Sequence, residues 1–192
     1  MESTELCKIA EKYGVDKCPK INHYYTSAYN EYLCDMEPKK FLEIGIGNHN
    51  LMSPIVGNSY EYGASLRMWK EYFPNCQIYG CDILEDVIFQ DERIITRIAD
   101  QSSVVSLEDM MSDFGSMDII LDDGSHIEEH QILSFSTLWK YINIGGYYII
   151  EDISINRLDE MSNLYKQFVD CKIKYIHKHH RDSQGFIIFE KK

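Results

Sequence analysis

The stretch MDIILDDGSH, residues 117–126, joins a short aliphatic run to two carboxylates, a glycine, a hydroxyl and a histidine. A second apolar run, residues 147–150, is followed directly by Glu151 and Asp152. Strands that carry carboxylates into a protein interior are unfavourable, because an unpaired buried anion costs several kcal/mol. We therefore expect a cation or a proton beside these acids, at the ends of two neighbouring strands.

Apolar runs and helical patterns alternate on both sides of this stretch. Buried strands are predicted at residues 41–46, 77–81, 94–98, 118–121 and 146–150. Helices are predicted at residues 64–73, 104–114, 129–142 and 155–169. Continuous apolar strands that alternate with helices are typical of a mostly parallel sheet covered on both faces. The pattern predicts an α/β fold whose functional side chains lie at the carboxyl ends of the strands.

The two ends of the chain depart from this alternation. Residues 6–13 and 24–36 have helical spacing of apolar side chains and predict a helical N-terminal extension. Residues 172–176 and 185–189 predict a hairpin that closes the sheet. Residues 47–63, between the first strand and the next helix, are predicted to form a long polar loop.

Length and charge limit the possible functions. With 192 residues, of which 44% are hydrophobic, the chain can bury roughly 70% of its unfolded surface. We predict one compact domain at residues 39–192, preceded by a helical extension or lid at residues 1–38. The net charge of −12 argues against a nucleic-acid partner, since such binding depends on basic side chains that neutralise phosphates. The sequence shows neither a basic-then-apolar leader nor the ~20 apolar residues that span a bilayer, so we expect a cytoplasmic protein without a membrane partner.

Glycines and acids follow the first three predicted strands. In EIGIG, residues 43–47, two glycines stand where the backbone must turn sharply near a ligand, but Asn50 replaces the third glycine of the dinucleotide fingerprint. Asp82 ends the second strand, where an acid can accept hydrogen bonds from two ribose hydroxyls. Asp100 and Gln101 end the third, where an adenine amino group can be bound. Each is also an ordinary turn or capping residue, but together they favour an adenosine ligand without phosphates.

Several motifs together resemble one enzyme family. They are YGVDK at 13–17, HYYT at 23–26, LEIGIG at 42–47, SLRMW at 65–69, YGCD at 79–82, DQ at 100–101, LDDGSH at 121–126 and IED at 150–152. In these motifs the chain resembles class I S-adenosylmethionine-dependent methyltransferases, and more narrowly the metal-dependent sugar O-methyltransferases of macrolide biosynthesis, the mycinamicin and tylosin type. The last two motifs are the most specific. The resemblance implies a Rossmann-like, mostly parallel seven-stranded sheet with an antiparallel last strand and helices on both faces.

The resemblance also implies a role for individual residues. In such enzymes the second Asp of DDGSH and the Glu-Asp pair bind magnesium, which here corresponds to Asp123, Glu151 and Asp152. The histidine of DDGSH is the catalytic base, which corresponds to His126. The residues expected to hold S-adenosylmethionine are Glu43, Gly45, Gly47, Ser65, Asp82, Asp100, Gln101 and Asp122. A homo-oligomer, a dimer or larger, is implied as well.

Methyl transfer to an alcohol requires the chemistry that these residues supply. Three carboxylates leave about three of the six positions around magnesium, enough for two adjacent sugar hydroxyls and one water. The ordinary pKa of histidine, about 6.5, suits His126 as the general base. The side chains of Tyr24, Tyr25, Thr26 and Tyr29 are predicted to form a lid that keeps water from the cofactor, or else a packed amphipathic helix. The predicted substrate is a hydroxyl of a sugar or glycoside, as in glycan or natural-product biosynthesis.

Other functions use the same residues differently. HIEEH at 126–130 matches the inverted zinc-peptidase pattern, although His126 is predicted to precede the helix. HKHH at 177–180 is either a metal site or a solvated hairpin tip. A catechol-type O-methyltransferase would use the same magnesium geometry on a planar diol. In a catalytically silent cofactor-binding module, the carboxylates would merely cap helices. An RNA-cap methyltransferase is disfavoured by the negative charge.

Overall fold

A sheet forms the centre of the fold in the computed structural model, which describes residues 3–58 and 60–192. Within these residues the sheet has eight strands: β1 Lys40–Ile44, β2 Gln77–Asp82, β3 Gln90–Asp91, β4 Ile94–Ile98, β5 Met117–Asp122, β6 Ile142–Ser154, β7 Lys172–His177 and β8 Gln184–Glu190. Their order across the sheet is β3-β4-β2-β1-β5-β6-β8-β7. The five strands from β4 to β6 in this order are parallel neighbours, whereas β8 runs antiparallel to both β6 and β7.

The sheet differs from the predicted seven strands by one short edge strand. β3 has two exposed residues and pairs antiparallel with β4. Two exposed residues carry no alternation of apolar and polar side chains, so no sequence pattern indicates such a strand. The other seven strands confirm the predicted class, because they form a mostly parallel sheet whose last strand is antiparallel.

Helices cover both faces of the sheet. Within the described residues they are α1 Glu5–Tyr13, α2 Tyr25–Leu33, α3 His49–Val56, α4 Ala64–Tyr72, α5 Val104–Phe114, α6 Glu128–Leu138 and α7 Leu158–Tyr165. On one face α1, α2 and α4 enclose a core that includes Leu6, Tyr29 and Trp69. On the other, α5, α6 and α7 enclose a core that includes Leu107 and Phe135. None of the helices in these residues combines the length and apolar character that crossing a bilayer requires.

The predicted polar loop at residues 47–63 contains helix α3, so the loop prediction was wrong for residues 49–56. The helix begins at a side-chain cap, because the Asn48 side-chain oxygen accepts a hydrogen bond from the Leu51 N–H at 3.0 Å. None of its residues is buried. Without a core-facing stripe, and with Pro54 inside it, the helix gives no periodic signal that separates it from a loop.

Candidate active site

Strands β5 and β6 bring the predicted acids of two distant motifs together. The two strands are parallel neighbours, and Asp122 lies opposite Ile150. The residues that come next, Asp123 after β5 and Glu151 in β6, therefore lie at the same end of the sheet. The backbone N–H of Asp123 donates to the Ile44 carbonyl at 2.9 Å, which fixes Asp123 beside the end of β1. The carboxyl ends of the parallel strands therefore form one site, as the alternation of strands and helices predicts.

Glu151 and Asp152 lie at an irregularity within β6 rather than after its end. The strand continues to Ser154, and its register against β8 shifts between Ile150 and Ile153. Bulges of this kind re-aim side chains and are over-represented next to active sites. Two glutamines hold the irregularity: the side-chain nitrogen of Gln131 donates to the Glu151 carbonyl at 3.0 Å, and that of Gln184 to the Asp152 carbonyl at 3.2 Å.

His126 and Asp152 both have an unusual backbone conformation. Each has a backbone φ of +57°, in the left-handed region that residues other than glycine seldom adopt. Such strained residues persist where the surroundings hold them, and they cluster at active sites and ligand clamps. The two residues also face each other across the site, since the His126 Nε2 lies 3.5 Å from the Asp152 Oδ2.

His126 lies between two carboxylates. Its Nε2 is 3.2 Å from the Asp123 Oδ1, and one ligand atom from each of Asp123, His126 and Asp152 lies within 4.8 Å of the other two. Burial lowers the pKa of His126, but the hydrogen bond to Asp123 and the charges of Asp123 and Asp152 outweigh this and raise it to about 9. The imidazole remains 40% exposed, so a substrate hydroxyl can reach it.

Glu151 faces a different partner, the buried ammonium group of Lys17. The Lys17 Nζ lies 2.5 Å from the Glu151 Oε2, also contacts the Asp123 Oδ2, and is 3.9 Å from the Glu43 Oε1. The Tyr29 hydroxyl donates to the other Glu151 oxygen at 2.5 Å. Burial raises the pKa of Glu151 above its ordinary range, and Lys17 opposes this shift. The sequence includes Lys17 in the motif YGVDK, but nothing in the pattern assigns it a function.

Helix α2 supplies the phenol groups at the acids. Tyr29 binds Glu151, and the Tyr25 hydroxyl donates to the Asp152 Oδ1 at 2.8 Å. Tyr24 instead packs on the hairpin between β7 and β8, and Thr26 contacts α1. Of the four predicted lid residues, the structure therefore brings Tyr25 and Tyr29 to the acids and places Tyr24 and Thr26 at the support of the helix.

The donor set fits a hard divalent cation. Carboxylate oxygens are the ligands that magnesium prefers in proteins, and those of Asp123 and Asp152 converge beside His126 with Glu151 adjacent. HIEEH at 126–130, which matches the inverted zinc-peptidase pattern, does not place both of its histidines on one helix. His126 lies in the loop before α6, and the His130 Nδ1 is paired with the Ser125 hydroxyl at 3.0 Å.

A buried acid, Glu43, lies near the end of β1, just before the glycine turn. Glu43 is fully buried, and among the described residues neither of its carboxylate oxygens has a hydrogen-bond partner. Burial raises its pKa to about 8. Gly45 and Gly47 have positive φ, and a Cβ would lie 2.1 Å from the Asp123 carbonyl oxygen at Gly45 and 2.6 Å from the Tyr60 hydroxyl at Gly47. Close packing thus requires glycine at both positions, and a ligand donor would satisfy the orphaned carboxylate.

The acids after β2 and β4 bind backbone N–H groups. The Asp82 Oδ2 accepts from the Ile46 N–H at 2.9 Å, and its Oδ1 accepts from the Leu84 N–H at 3.0 Å. The Asp100 Oδ1 accepts from the Ser102 N–H at 2.8 Å. Both carboxylates shape their loops, and both can still accept from a ligand hydroxyl through their remaining lone pairs. Ser65, the second residue of α4, is half-buried.

Gln101 and Asp122 are bound to each other. The Gln101 Nε2 donates to both Asp122 oxygens, at 2.7 and 2.8 Å, and its Oε1 accepts from the Ser125 N–H at 2.9 Å. The Ser134 hydroxyl of α6 also donates to Asp122 at 2.6 Å. Burial raises the pKa of Asp122 to about 6, against these hydrogen bonds. The pair fastens β5 to α6 from within, and its contact with a cofactor stays a prediction.

The sequence is similar to those of characterised sugar O-methyltransferases, although no protein-family model matches it. It is 39% identical, over 77% of its length, to the 8-demethyl-8-alpha-L-rhamnosyl tetracenomycin-C 2'-O-methyltransferase of Streptomyces olivaceus. It is 36% identical, over 78% of its length, to the mycinamicin VI 2''-O-methyltransferase of Micromonospora griseorubida. The chain spans 37% and 36% of the length of these two relatives.

The fold is similar to that of a solved methyltransferase. The structure of MycE, a methyltransferase of the mycinamycin biosynthetic pathway in complex with Mg, SAH and mycinamycin VI, matches with a TM-score of 0.76 at 29% identity. This match covers 99% of the present chain and 56% of MycE. The chain therefore has the class I methyltransferase fold, and it is a homologue of the sugar O-methyltransferases of macrolide and tetracenomycin pathways.

Proposed function

We propose that this chain catalyses magnesium-dependent transfer of a methyl group from S-adenosylmethionine to a hydroxyl of a sugar or glycoside. The observation that carries the proposal is the convergence of Asp123 and Asp152 on His126, beside Glu151, at the carboxyl edge of a class I methyltransferase sheet. The named relatives are O-methyltransferases of glycosylated natural products, which supports a sugar and does not favour a catechol. A silent binding module would have no use for a base among the acids.

Three carboxylates and one imidazole divide the chemistry. When bound, S-adenosylmethionine supplies an electrophilic methyl group, and magnesium supplies a positive charge beside the acceptor oxygen. Asp123, Glu151 and Asp152 would hold the metal, and the His126 Nε2 accepts the proton of the acceptor hydroxyl. With a pKa of about 9, His126 is mostly protonated at neutral pH. A cation bound by Asp123 and Asp152 would offset their negative charge and so lower the pKa of His126, which would leave more of the imidazole neutral and able to accept the proton.

The cofactor side of the site is the edge formed by β1, β2 and β4. Glu43 is buried and its oxygens accept no hydrogen bond from the residues that the structure describes, so it is suited to the cofactor's amino group. Asp82 faces the glycine turn through Ile46 and is suited to the ribose hydroxyls. Tyr25 and Tyr29, bound to the acids at the other side, close the site against water.

The proposal is tested by calorimetry with S-adenosylmethionine and by a radiolabelled-methyl assay on rhamnosides, macrolide glycosides, nucleotide sugars and catechols. We expect cofactor binding, and methylation of a glycoside that stops in excess chelator. H126A should lower turnover at least ~100-fold while cofactor affinity changes little, because it removes the general base alone. H130A is the matched control, since His130 lies four residues further along, on α6, and is not part of the cluster of Asp123, His126 and Asp152. Absence of cofactor binding would contradict the whole proposal, and full activity in chelator would contradict its metal.

A further inference from the structure

Lys17 is a buried cation among the proposed metal ligands. It is 2% exposed, and its ammonium group contacts carboxylate oxygens of both Glu151 and Asp123, with Glu43 at 3.9 Å. An ammonium group withdrawn from water is costly unless acids neutralise it. The charge of Lys17 is therefore balanced by the same carboxylates that the proposed function assigns to magnesium.

The segment that carries Lys17 is fixed to helix α2. The backbone carbonyl of Lys17 accepts hydrogen bonds from the N–H groups of Tyr25 at 3.1 Å and Thr26 at 3.0 Å. These two residues begin the helix. One turn further along, Tyr29 donates to the Glu151 oxygen that Lys17 does not contact. Both oxygens of Glu151 are thus bound by donors from one hydrogen-bonded segment, residues 17–29.

Asp123 is shared between two positive or ionisable groups. One of its oxygens contacts Lys17, and the other lies 3.2 Å from the His126 Nε2. A divalent ion that binds both Asp123 and Glu151 must lie within a few ångströms of the ammonium group or displace it. Like charges at that separation repel strongly in a buried site, where water screens them weakly.

We propose that Lys17 is a resident counter-cation that competes with the divalent metal for Glu151 and Asp123. The inference rests on the proposed function, because it takes these acids as metal ligands. Lys17 positions the two carboxylates, and its positive charge weakens their hold on the metal. Binding of the metal is then coupled to the position of residues 17–29, which carry both the ammonium group and the two phenols.

The test compares K17M with a matched control, K20M. Methionine keeps the unbranched stem of Lys17 and removes its charge, whereas Lys20 carries the same charge in the same segment but is 72% exposed and pairs with Glu11. The Kd of Mn²⁺ is measured by electron paramagnetic resonance, and melting temperatures are measured in chelator and in excess Mn²⁺. We expect K17M to bind Mn²⁺ at least ~10-fold more tightly than the wild type, to melt lower in chelator, and to gain more from Mn²⁺. K20M should behave as the wild type.

A second variant, K17Q, keeps a hydrogen-bond donor without the charge and should bind Mn²⁺ more tightly as well. If both variants are unfolded in chelator but fold with Mn²⁺, the metal replaces the ammonium group and the proposal is supported. If both stay unfolded with Mn²⁺, or bind it no more tightly than the wild type, the proposal is overturned. Failure of the wild type to bind Mn²⁺ removes the proposed metal site itself, and the inference with it, which distinguishes the two failures.

Discussion

Two regions at the same end of the sheet are built differently. The acidic edge, at β5 and β6, contains Asp123, Glu151 and Asp152. The glycine-rich edge, at β1, β2 and β4, contains Gly45, Gly47 and Asp82. At the acidic edge, carboxylates contact other ionisable side chains, as Glu151 does with Lys17 and Asp152 with His126. At the glycine-rich edge, carboxylates accept from the backbone, as Asp82 does from the Ile46 N–H. At the acidic edge, carboxylates are neutralised by positively charged or ionisable side chains. At the glycine-rich edge, carboxylates hold the backbone in its turn.

This difference indicates which properties each edge controls. A carboxylate that contacts the side chain of Lys17 or His126 can bind a metal cation in place of that side chain, and this exchange involves no backbone hydrogen bond. A carboxylate such as Asp82, which holds the turn at Gly45 and Gly47, cannot change partners without altering the turn itself. Substitutions at the acidic edge should therefore change metal binding and catalysis, and those at the glycine-rich edge should change cofactor binding and stability.

The largest effect is expected for D123N at the acidic edge. The substitution removes the charge that Lys17 and His126 share and one proposed metal ligand, while it keeps the side-chain volume. Because residues that merely support a metal ligand are worth ~10- to 100-fold in affinity, loss of a ligand should weaken Mn²⁺ binding at least ~100-fold. Binding of S-adenosylmethionine, measured by calorimetry without metal, should change little. An unchanged Mn²⁺ affinity would remove Asp123 from the metal site.

The reverse result is expected for D82N at the glycine-rich edge. The Ile46 and Leu84 N–H groups bind different oxygens of Asp82, and in asparagine one of these oxygens is replaced by an NH2 donor, so one backbone N–H loses its acceptor. Such a bond contributes about 1.5–3 kcal/mol, and we expect at least a ~10-fold loss of cofactor affinity and a lower melting temperature. Mn²⁺ affinity should stay near that of the wild type. If D82N and D123N affected the two ligands equally, the two edges would not be independent.

The sequence predicts the parts of the site that follow from strand order. Carboxyl ends of parallel strands coincide, so Asp123 and the Glu151–Asp152 pair could be placed at one edge from their positions after apolar runs. The register shift in β6 could not be predicted, because it depends on pairing with β8. Lys17 could not be placed either. It is 106 residues from Asp123 in the chain, and its burial depends on how α2 docks on the sheet.

Helix α3 and the Gln101–Asp122 pair show the two limits of pattern-based prediction. The helix has no buried residue, so hydrophobic periodicity does not mark it. Gln101 ends a strand at a position suited to a ligand, but its amide is used by Asp122 and the Ser125 N–H. A sequence indicates that a polar residue stands at a strand end, whereas the partner it chooses is decided by tertiary packing.

The smallest effect concerns the packing of helix α2 on the hairpin strands. His177 is buried against Phe186 and Tyr25, and its Nε2 has no hydrogen-bond partner in the described part of the chain. Burial lowers its pKa to about 4, which Asp182 opposes. The unfolded chain, with a pKa near 6.5, takes up this proton first, so the contribution of neutral His177 to the free energy of unfolding is complete above pH 6.5 and is lost as the pH falls toward 4.

H177F keeps the stacked ring and removes the titration, so it should reduce the acid sensitivity of the fold. From pH 7.5 to pH 5, the free energy of unfolding measured in urea should fall by on the order of 1 kcal/mol more in the wild type than in H177F. All other titratable groups are the same in the two proteins. Folded His177, with a pKa of about 4, stays mostly neutral at pH 5, so the Mn²⁺ affinities of the wild type and H177F should change alike over this range. Equal losses in the two proteins would mean that His177 contributes nothing to the pH dependence of the free energy of unfolding. A steeper loss of Mn²⁺ affinity in the wild type than in H177F would mean that folded His177 is already protonated at pH 5.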